Sequence, residues 1–343
     1  MSLNKNNVNV SDDETAGLYL LEQTMGYTYQ AALRAVTILG VADHLVDGPK
    51  TANELAKILN VQGQRLHRAL RALAMRGVFR ELSGGLFELT RPAKFLCTNS
   101  KYSLRDAVLM LTDETCWRPL GEIVESIRGN YVFKHIFGVP FFEYHTQENA
   151  PTNCFHGGMS SMSKFENQFI VRNYTFPERV TVVDIAGGFG GLLLNVLQNN
   201  PTLHGILFDQ PHVLARHRLG ELRDDTRWEL ISGSFFESCP RGDIYLLKYI
   251  MHGWPDDQAS CILRNCRESM APGARILVMD PLISEDNCPD VGKSMDLLCM
   301  GIYDGGGDRT EEEFRQLFAS ADLQLHRVIN TGSYISIIEA IAN

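Results

Sequence analysis

After residue 175, apolar runs without alternation recur between amphipathic stretches: VTVVDIA, LHGILFD, WELISGS, DIYLLKYI and ARILVMDP. A strand with one wet face alternates apolar and polar residues. A strand apolar at nearly every position is buried on both faces, which requires helices packed above and below it. The pattern predicts an α/β fold with a mostly parallel sheet over residues 176–343. The closing runs LQLHRVI and YISIIEAIA, joined by the tight turn NTGS, are expected to pair antiparallel.

The first half reads differently. In TANELAKIL, Thr51 and Glu54 have the spacing of a capping box, predicting a helix over 51–59. QRLHRALRALAMRG sets Leu66, Leu70, Leu73 and Ala74 on one stripe, with Arg65, Arg68 and Arg71 elsewhere and Gly77 as a stop. VFRELSGGLFELT alternates on both sides of Ser83-Gly84-Gly85 and reads as a hairpin. Helix, turn, helix and hairpin make a winged-helix unit, expected within residues 1–105. The upstream segment 17–46 is apolar over too much of its circumference for a lone surface helix and is expected to pack on another chain. Helical patterns over 106–175, interrupted near Pro140 and Pro151, form a connection.

A winged helix can bind DNA, but the chain carries a formal charge of −9 with no long basic tract. Nucleic-acid affinity rests largely on cationic side chains neutralising phosphates, so the unit is read as an interaction scaffold rather than a regulator's DNA-binding head. The eight cysteines are scattered, and only Cys261 and Cys266 lie close together. Neither a disulfide framework nor a metal site is expected. No apolar run is long enough to span a bilayer and the first residues are polar, so a cytoplasmic location without membrane contact is expected.

VVDIAGGFGGLLLNVL is a strand, a glycine-rich turn and a helix start. Gly187, Gly188 and Gly190 leave room for a ligand to approach the backbone, with the positive end of the following helix beside it. At the end of the next strand Asp209 is placed to accept hydrogen bonds from both ribose hydroxyls. Together these features indicate a nucleoside-bearing cofactor. The spacing does not match the dinucleotide fingerprint G-x-G-x-x-G, and Asp184, just before the turn, would repel a pyrophosphate. S-adenosylmethionine carries a sulfonium, an ammonium and no phosphate, and suits that carboxylate better.

In these residues the chain resembles the class I S-adenosylmethionine-dependent O-methyltransferases, the group that includes plant caffeic acid O-methyltransferase and bacterial enzymes acting on phenazines and other aromatic natural products. The ordered blocks DIAGGFGG, FDQPHV, GSFF, LLKYIMHGW and GGGDRT carry the likeness over nearly the whole chain. The resemblance implies a Rossmann-like methyltransferase domain behind a winged-helix domain that makes a homodimer. It places Asp184, Gly187 and Gly188 at the methionine part of the cofactor, Asp209 with Gln210 at the ribose, Ser234 with Phe235 at the adenine, and Lys248 beside the cofactor. It makes His252 the general base, flanked by Asp280 and Asp308 where the family usually has glutamates. Met159, Met162, Cys299 and Tyr303 fall in segments that face an aromatic small-molecule acceptor. The chain departs from the family pattern at Ala186, Ser234 and Gly253, where the family commonly has Gly, an acid and Asp.

The chemistry of His252 can be argued independently. DIYLLKYI leads to it, and ARILVMD leads to Asp280, so parallel strands bring both to one carboxyl edge, where ligands bind. Pro255 suits a first helical turn and Asp256 and Asp257 the helix dipole, with Ala259, Ile262, Leu263, Cys266 and Met270 continuing a stripe to Pro272-Gly273. A phenol is mostly protonated at neutral pH, and an imidazole oriented by a carboxylate can take its proton. A family member that keeps the cofactor but runs another reaction is the alternative.

Overall fold

The computed structural model describes residues 11–146 and 154–343; the expectations for the first ten residues and for the connection at Pro151 lie outside them. The chain divides into two compact units, one ending at Thr112 and one beginning at Asp113, and most of the expected helical connection falls in the second. No described helix is long and apolar enough to cross a membrane.

The first unit runs α1 (Asp12–Thr24), α2 (Gly26–Ile38), β1 (Lys50–Thr51), α3 (Ala52–Leu59), α4 (Gly63–Met75), β2 (Phe79–Glu81), β3 (Leu86–Leu89) and α5 (Arg105–Leu111). The capping box forms: Thr51 Oγ1 accepts from the Glu54 amide at 3.2 Å, and Glu54 accepts from the Thr51 amide at 2.7 Å. Leu66, Leu70 and Leu73 of α4 are buried and its three stripe-avoiding arginines exposed, as their spacing requires. The hairpin pairs Phe79 with Leu89, and the two-residue β1, too short to carry a period, adds a third strand beside β3. Leu18, Tyr19, Leu20, Leu21, Met25 and Tyr27 are all more than half exposed, a run of apolar side chains left in water.

The second unit opens with α6 (Glu114–Gly121), α7 (Ile123–Ile127), α8 (Val132–Phe137), α9 (Phe141–Thr146) and α10 (Cys154–Asn173). An alternating succession follows: β4 (Thr181–Ile185), α11 (Gly191–Asn199), β5 (His204–Asp209), α12 (Pro211–Leu214), β6 (Trp228–Ser232), β7 (Gly242–Lys248), α13 (Asp256–Ser269), β8 (Met270–Pro281), α14 (Val291–Ile302), α15 (Glu311–Ala319), β9 (Leu323–Asn330) and β10 (Ile335–Ala342). The sheet order is β6-β5-β4-β7-β8-β10-β9. The first five strands are parallel, and β10 is antiparallel to both its neighbours.

The central strands are buried on both faces. Successive residues Val182 and Val183, and Leu246 and Leu247, are all fully out of water. On one face Val183, Tyr245, Leu247, Ile276 and Val278 pack with Ile262, Leu263 and Cys266 of α13 and Phe314 and Phe318 of α15. Three local expectations are corrected. β6 is an edge strand, and its Glu229 and Leu230 are exposed, so WELISGS is not buried on both faces. Pro255 caps α13 with extended backbone instead of entering its first turn. The same helix stops at Ser269, before Pro272-Gly273, where Met270 already has extended backbone and pairs with Gly242 at the start of β8.

Tyr245 ties the start of β7 to the end of α13. Its buried hydroxyl accepts from the Gly242 amide at 2.9 Å and lies 2.8 Å from the Pro240 carbonyl and 2.7 Å from that of Ser269. Removing the hydroxyl leaves these groups without their shared partner. Tyr245→Phe should therefore lose about 1–3 kcal/mol of stability, read from denaturant unfolding, with a loss near zero contradicting the assignment.

Candidate active site

The carboxyl ends of β4, β5 and β7 deliver the site. After Ile185 the chain turns through Ala186 and Gly188, both with left-handed backbone at φ 51° and 61°, and Gly190, at φ 75°, caps α11. An alanine in that region is strained by about 1–3 kcal/mol, which the surrounding structure must over-determine. The Ala186 amide is held by the Phe208 carbonyl at 2.8 Å. Gly187 cannot be replaced freely: a Cβ there would sit 2.5 Å from the Asp184 carboxyl carbon and 2.6 Å from Leu207. The turn is thereby pressed onto Asp184.

A cavity of about 550 Å³ opens over this turn, and all eight residues expected at the cofactor line it: Asp184, Gly187, Gly188, Asp209, Gln210, Ser234, Phe235 and Lys248. Asp209 accepts from the Gly188 amide at 2.8 Å and the Gln210 amide at 2.6 Å, which aligns its carboxylate across the turn. Burial raises its pKa against the pull of those two amides. Asp184 is 2 % exposed, and burial pushes it up to about 7 against the hydrogen bond of the Leu193 amide, with Asp209 adding and Lys248 opposing. One of its oxygens is buried with no partner among the described residues. A carboxyl raised by desolvation and short of a donor is a site for a cation. The ammonium and sulfonium of S-adenosylmethionine fit that requirement, and a pyrophosphate does not.

His252 follows β7 in a short turn and is 5 % exposed. Its Nδ1 lies 3.2 Å from Asp308 Oδ1, and its ring stacks on Tyr249 at 5.3 Å and tilts against Tyr303 at 5.6 Å. Burial disfavours the charged ring, but the Cys299 sulfur and the carboxylates of Asp308 and Asp280 outweigh it and hold the pKa well above the ordinary histidine value. Of the two expected acids only Asp308 meets the ring at hydrogen-bonding distance. Neither Asp280 oxygen finds a geometric partner among the described residues. Its short arm stays at the end of β8, and burial pushes it up to about 6.

The residues expected at the acceptor are divided. Met159 lines the cavity, whereas Met162, 5 % exposed, is packed in the core. Cys299 turns its sulfur to His252 Nδ1 at 3.6 Å, and Tyr303 stacks on Phe142. The ligand atoms of His252, Cys299 and Asp308 lie within 4.8 Å of one another, a grouping that a soft cation could also use. Gly253, where the family commonly has Asp, leaves room for the Phe142 ring: a Cβ there would stand 3.1 Å from it. Phe142 in turn stacks on Trp254 at 5.4 Å.

Several site residues were not singled out in the sequence. Arg309 donates to the Met251 and Trp254 carbonyls at 2.8 and 2.9 Å and to Asp256, clamping the turn that carries His252. It stands inside the quoted GGGDRT block, where its neighbour Asp308 drew the attention. Asp296 accepts from the Asp308 amide at 3.0 Å. On α10, Glu166 is 1 % exposed and ion-paired to Lys248 at 2.7 Å. Its signal is helical spacing: with Met162 and Ile170 it shares a buried stripe, where an acid is out of place.

Seven strands in this order, with a glycine turn, a ribose-type acid and a buried cation-seeking carboxyl at one edge, define a class I S-adenosylmethionine-dependent methyltransferase. A model of the O-methyltransferase domain matches residues 117–324 and one of the O-methyltransferase dimerisation domain matches residues 21–99. The chain belongs to this O-methyltransferase family, and its methyl donor is S-adenosylmethionine. It is 34% identical to phenazine O-methyltransferase PhzM of Lysobacter antibioticus, over 94% of this chain and 95% of that protein. It is 32% identical to the mitomycin biosynthesis 6-O-methyltransferase of Streptomyces lavendulae, over 93% and 94%. The S-adenosylhomocysteine-bound structure of CalO1, a methyltransferase in calicheamicin biosynthesis, superposes with a TM-score of 0.90 at 38% identity, covering 98% of this chain and all of that one.

Crowding at Gly187 yields a direct test. Gly187→Ala should weaken S-adenosylmethionine binding by about 1–3 kcal/mol, the usual cost of overpacking, in a calorimetric titration. Unchanged affinity would remove the turn from the cofactor site.

Proposed function

We propose that the chain methylates a hydroxyl on an aromatic small molecule, of the phenolic, phenazine or polyketide type, with His252 as the general base. The observation that carries this reading is the buried His252–Asp308 contact of 3.2 Å, set among aromatic rings at the edge that holds the cofactor cavity. The phenazine and mitomycin enzymes among its relatives support the acceptor class. When bound, S-adenosylmethionine supplies an electrophilic methyl group on a sulfonium.

The chain's residues supply the rest. Asp308 accepts a hydrogen bond from Nδ1–H and fixes the tautomer, so Nε2 is the nitrogen left to accept the acceptor's proton. Asp308 then stabilises the imidazolium, and Asp280 adds negative charge at longer range. Asp184 and Asp209 hold the ammonium and ribose ends of the donor, and Ser234 and Phe235 border its adenine. Phe142, Trp254 and Met159 offer flat and adaptable apolar surface to an aromatic ring. Two copies pair through the first unit, covering the exposed apolar run of α1 and α2, and the enzyme works in the cytoplasm without nucleic acid.

A base must be neutral to accept a proton. Because neighbouring carboxylates raise the pKa of His252, kcat/KM should climb with pH through an inflection above the ordinary histidine value of about 6.5. Asp308→Asn removes one of those carboxylates and should move the inflection to lower pH while reducing kcat. With labelled donor and a panel of phenols and phenazines, His252→Ala should lose ~10²–10⁴ in kcat and keep its donor affinity. A fully active His252→Ala on a phenol of high pKa would eliminate the base, and failure of the native protein to label any aromatic hydroxyl would eliminate the acceptor class.

A further inference from the structure

Glu166 lies behind the cavity wall, on the fourth turn of α10. One of its oxygens accepts from Lys248 Nζ at 2.7 Å, and the other accepts from the hydroxyls of Tyr249, at 2.8 Å, and Tyr334. Burial holds both tyrosines above their ordinary pKa, so they remain donors to the carboxylate. Lys248 also reaches Ser163 Oγ at 2.9 Å and is 7 % exposed, against 1 % for Glu166. Successive residues of a strand point to opposite faces. Tyr249, just past the end of β7, has left-handed backbone at φ 58°, and this break in alternation lets two adjacent side chains close on a single carboxylate. Strained backbone in a bulky residue persists where the surroundings over-determine it.

We infer that Glu166 sets the preference of the site for charged donor over spent product by cancelling the charge of Lys248 at the cavity wall. The inference rests on Lys248 lying beside the donor, as proposed above. S-adenosylmethionine carries a sulfonium, an ammonium and a carboxylate, a net charge of +1; S-adenosylhomocysteine lacks the sulfonium charge and is neutral. Lys248 lines the same cavity as Asp184 and acts electrostatically on it. Left uncompensated in a desolvated wall, its ammonium would repel the donor more than the product. Paired with Glu166, it keeps its hydrogen-bonding position while Asp184 and Asp209 leave the cavity negative. Glu166 is thus a specificity-determining residue that acts through Lys248 and touches neither ligand.

The test is the ratio of the two dissociation constants, donor over product, from calorimetric titrations of each ligand into the full-length protein at one fixed pH. In Glu166→Gln the ratio should rise about tenfold, the scale of one unit charge several ångströms away in a partly desolvated site. Lys248→Met should move it the opposite way, and the Glu166→Gln/Lys248→Met double variant, with the pair neutral, should return it to the native value. This pattern separates charge from scaffolding, since loss of a structural brace weakens both ligands alike. An unchanged ratio in Glu166→Gln, or in Lys248→Met should the first variant not fold, overturns the inference. A native protein that binds neither ligand would instead overturn the cofactor reading beneath it.

Discussion

Carboxyl groups held out of water at one edge of the sheet are the constraint on which the rest depends. Asp184 and Asp280 end neighbouring parts of that edge and are almost wholly buried, as is the side chain of Asp308. A buried carboxylate without a partner is costly and raises its own pKa until a cation or a proton arrives. The two halves of the site answer differently. At Asp308 the partner is built in, an imidazole facing it at 3.2 Å, whereas one Asp184 oxygen is left without a partner among the described residues, open to the cation proposed for it.

Much of the remaining structure serves to keep these groups dry and aimed. Gly187 leaves the turn close enough to cover Asp184, and a larger residue there would push against the Asp184 and Leu207 side chains. Arg309 links the turn carrying His252 to the start of α13, and the amide of Ile283 binds the Arg309 carbonyl at 3.0 Å, so the exit from β8 and the loop bearing Asp308 move as one. Asp296 fixes the Asp308 amide from α14. His252 is thus supported from three elements far apart in sequence, which suits the base proposed for a reaction that depends on placing oxygen, methyl carbon and sulfur in line.

How much of this was legible depended on whether the physics was local. Burial on both faces leaves its mark at every position of a strand, so β4, β5, β7 and β8 could be read from VTVVDIA and its counterparts. The capping box of α3 and the hairpin of β2 and β3 are equally local. The edge position of β6 depends on which strand happens to lack a neighbour, and the two-residue β1 has no period at all. In the site, the glycine turn and Asp209 were visible because their spacing is set within one βαβ unit. The reach of an aspartate was not: Asp308 meets the ring and Asp280 stops short, a difference of loop path rather than residue type. Glu166 was hidden for a related reason. An acid within a helix usually faces solvent, and only the partners converging on it from β7 and from Tyr334 give it a buried place.

If the cationic donor binds at Asp184, as proposed, it should take the place of a proton there. Burial raises the pKa of the ligand-free carboxyl to about 7, so at pH 6 it should carry a proton. Binding of S-adenosylmethionine should then expel close to one proton, measured by calorimetric titration in two buffers of different ionisation heat, and Asp184→Asn should abolish that release. Binding with no proton release, or the same release in Asp184→Asn, would contradict it.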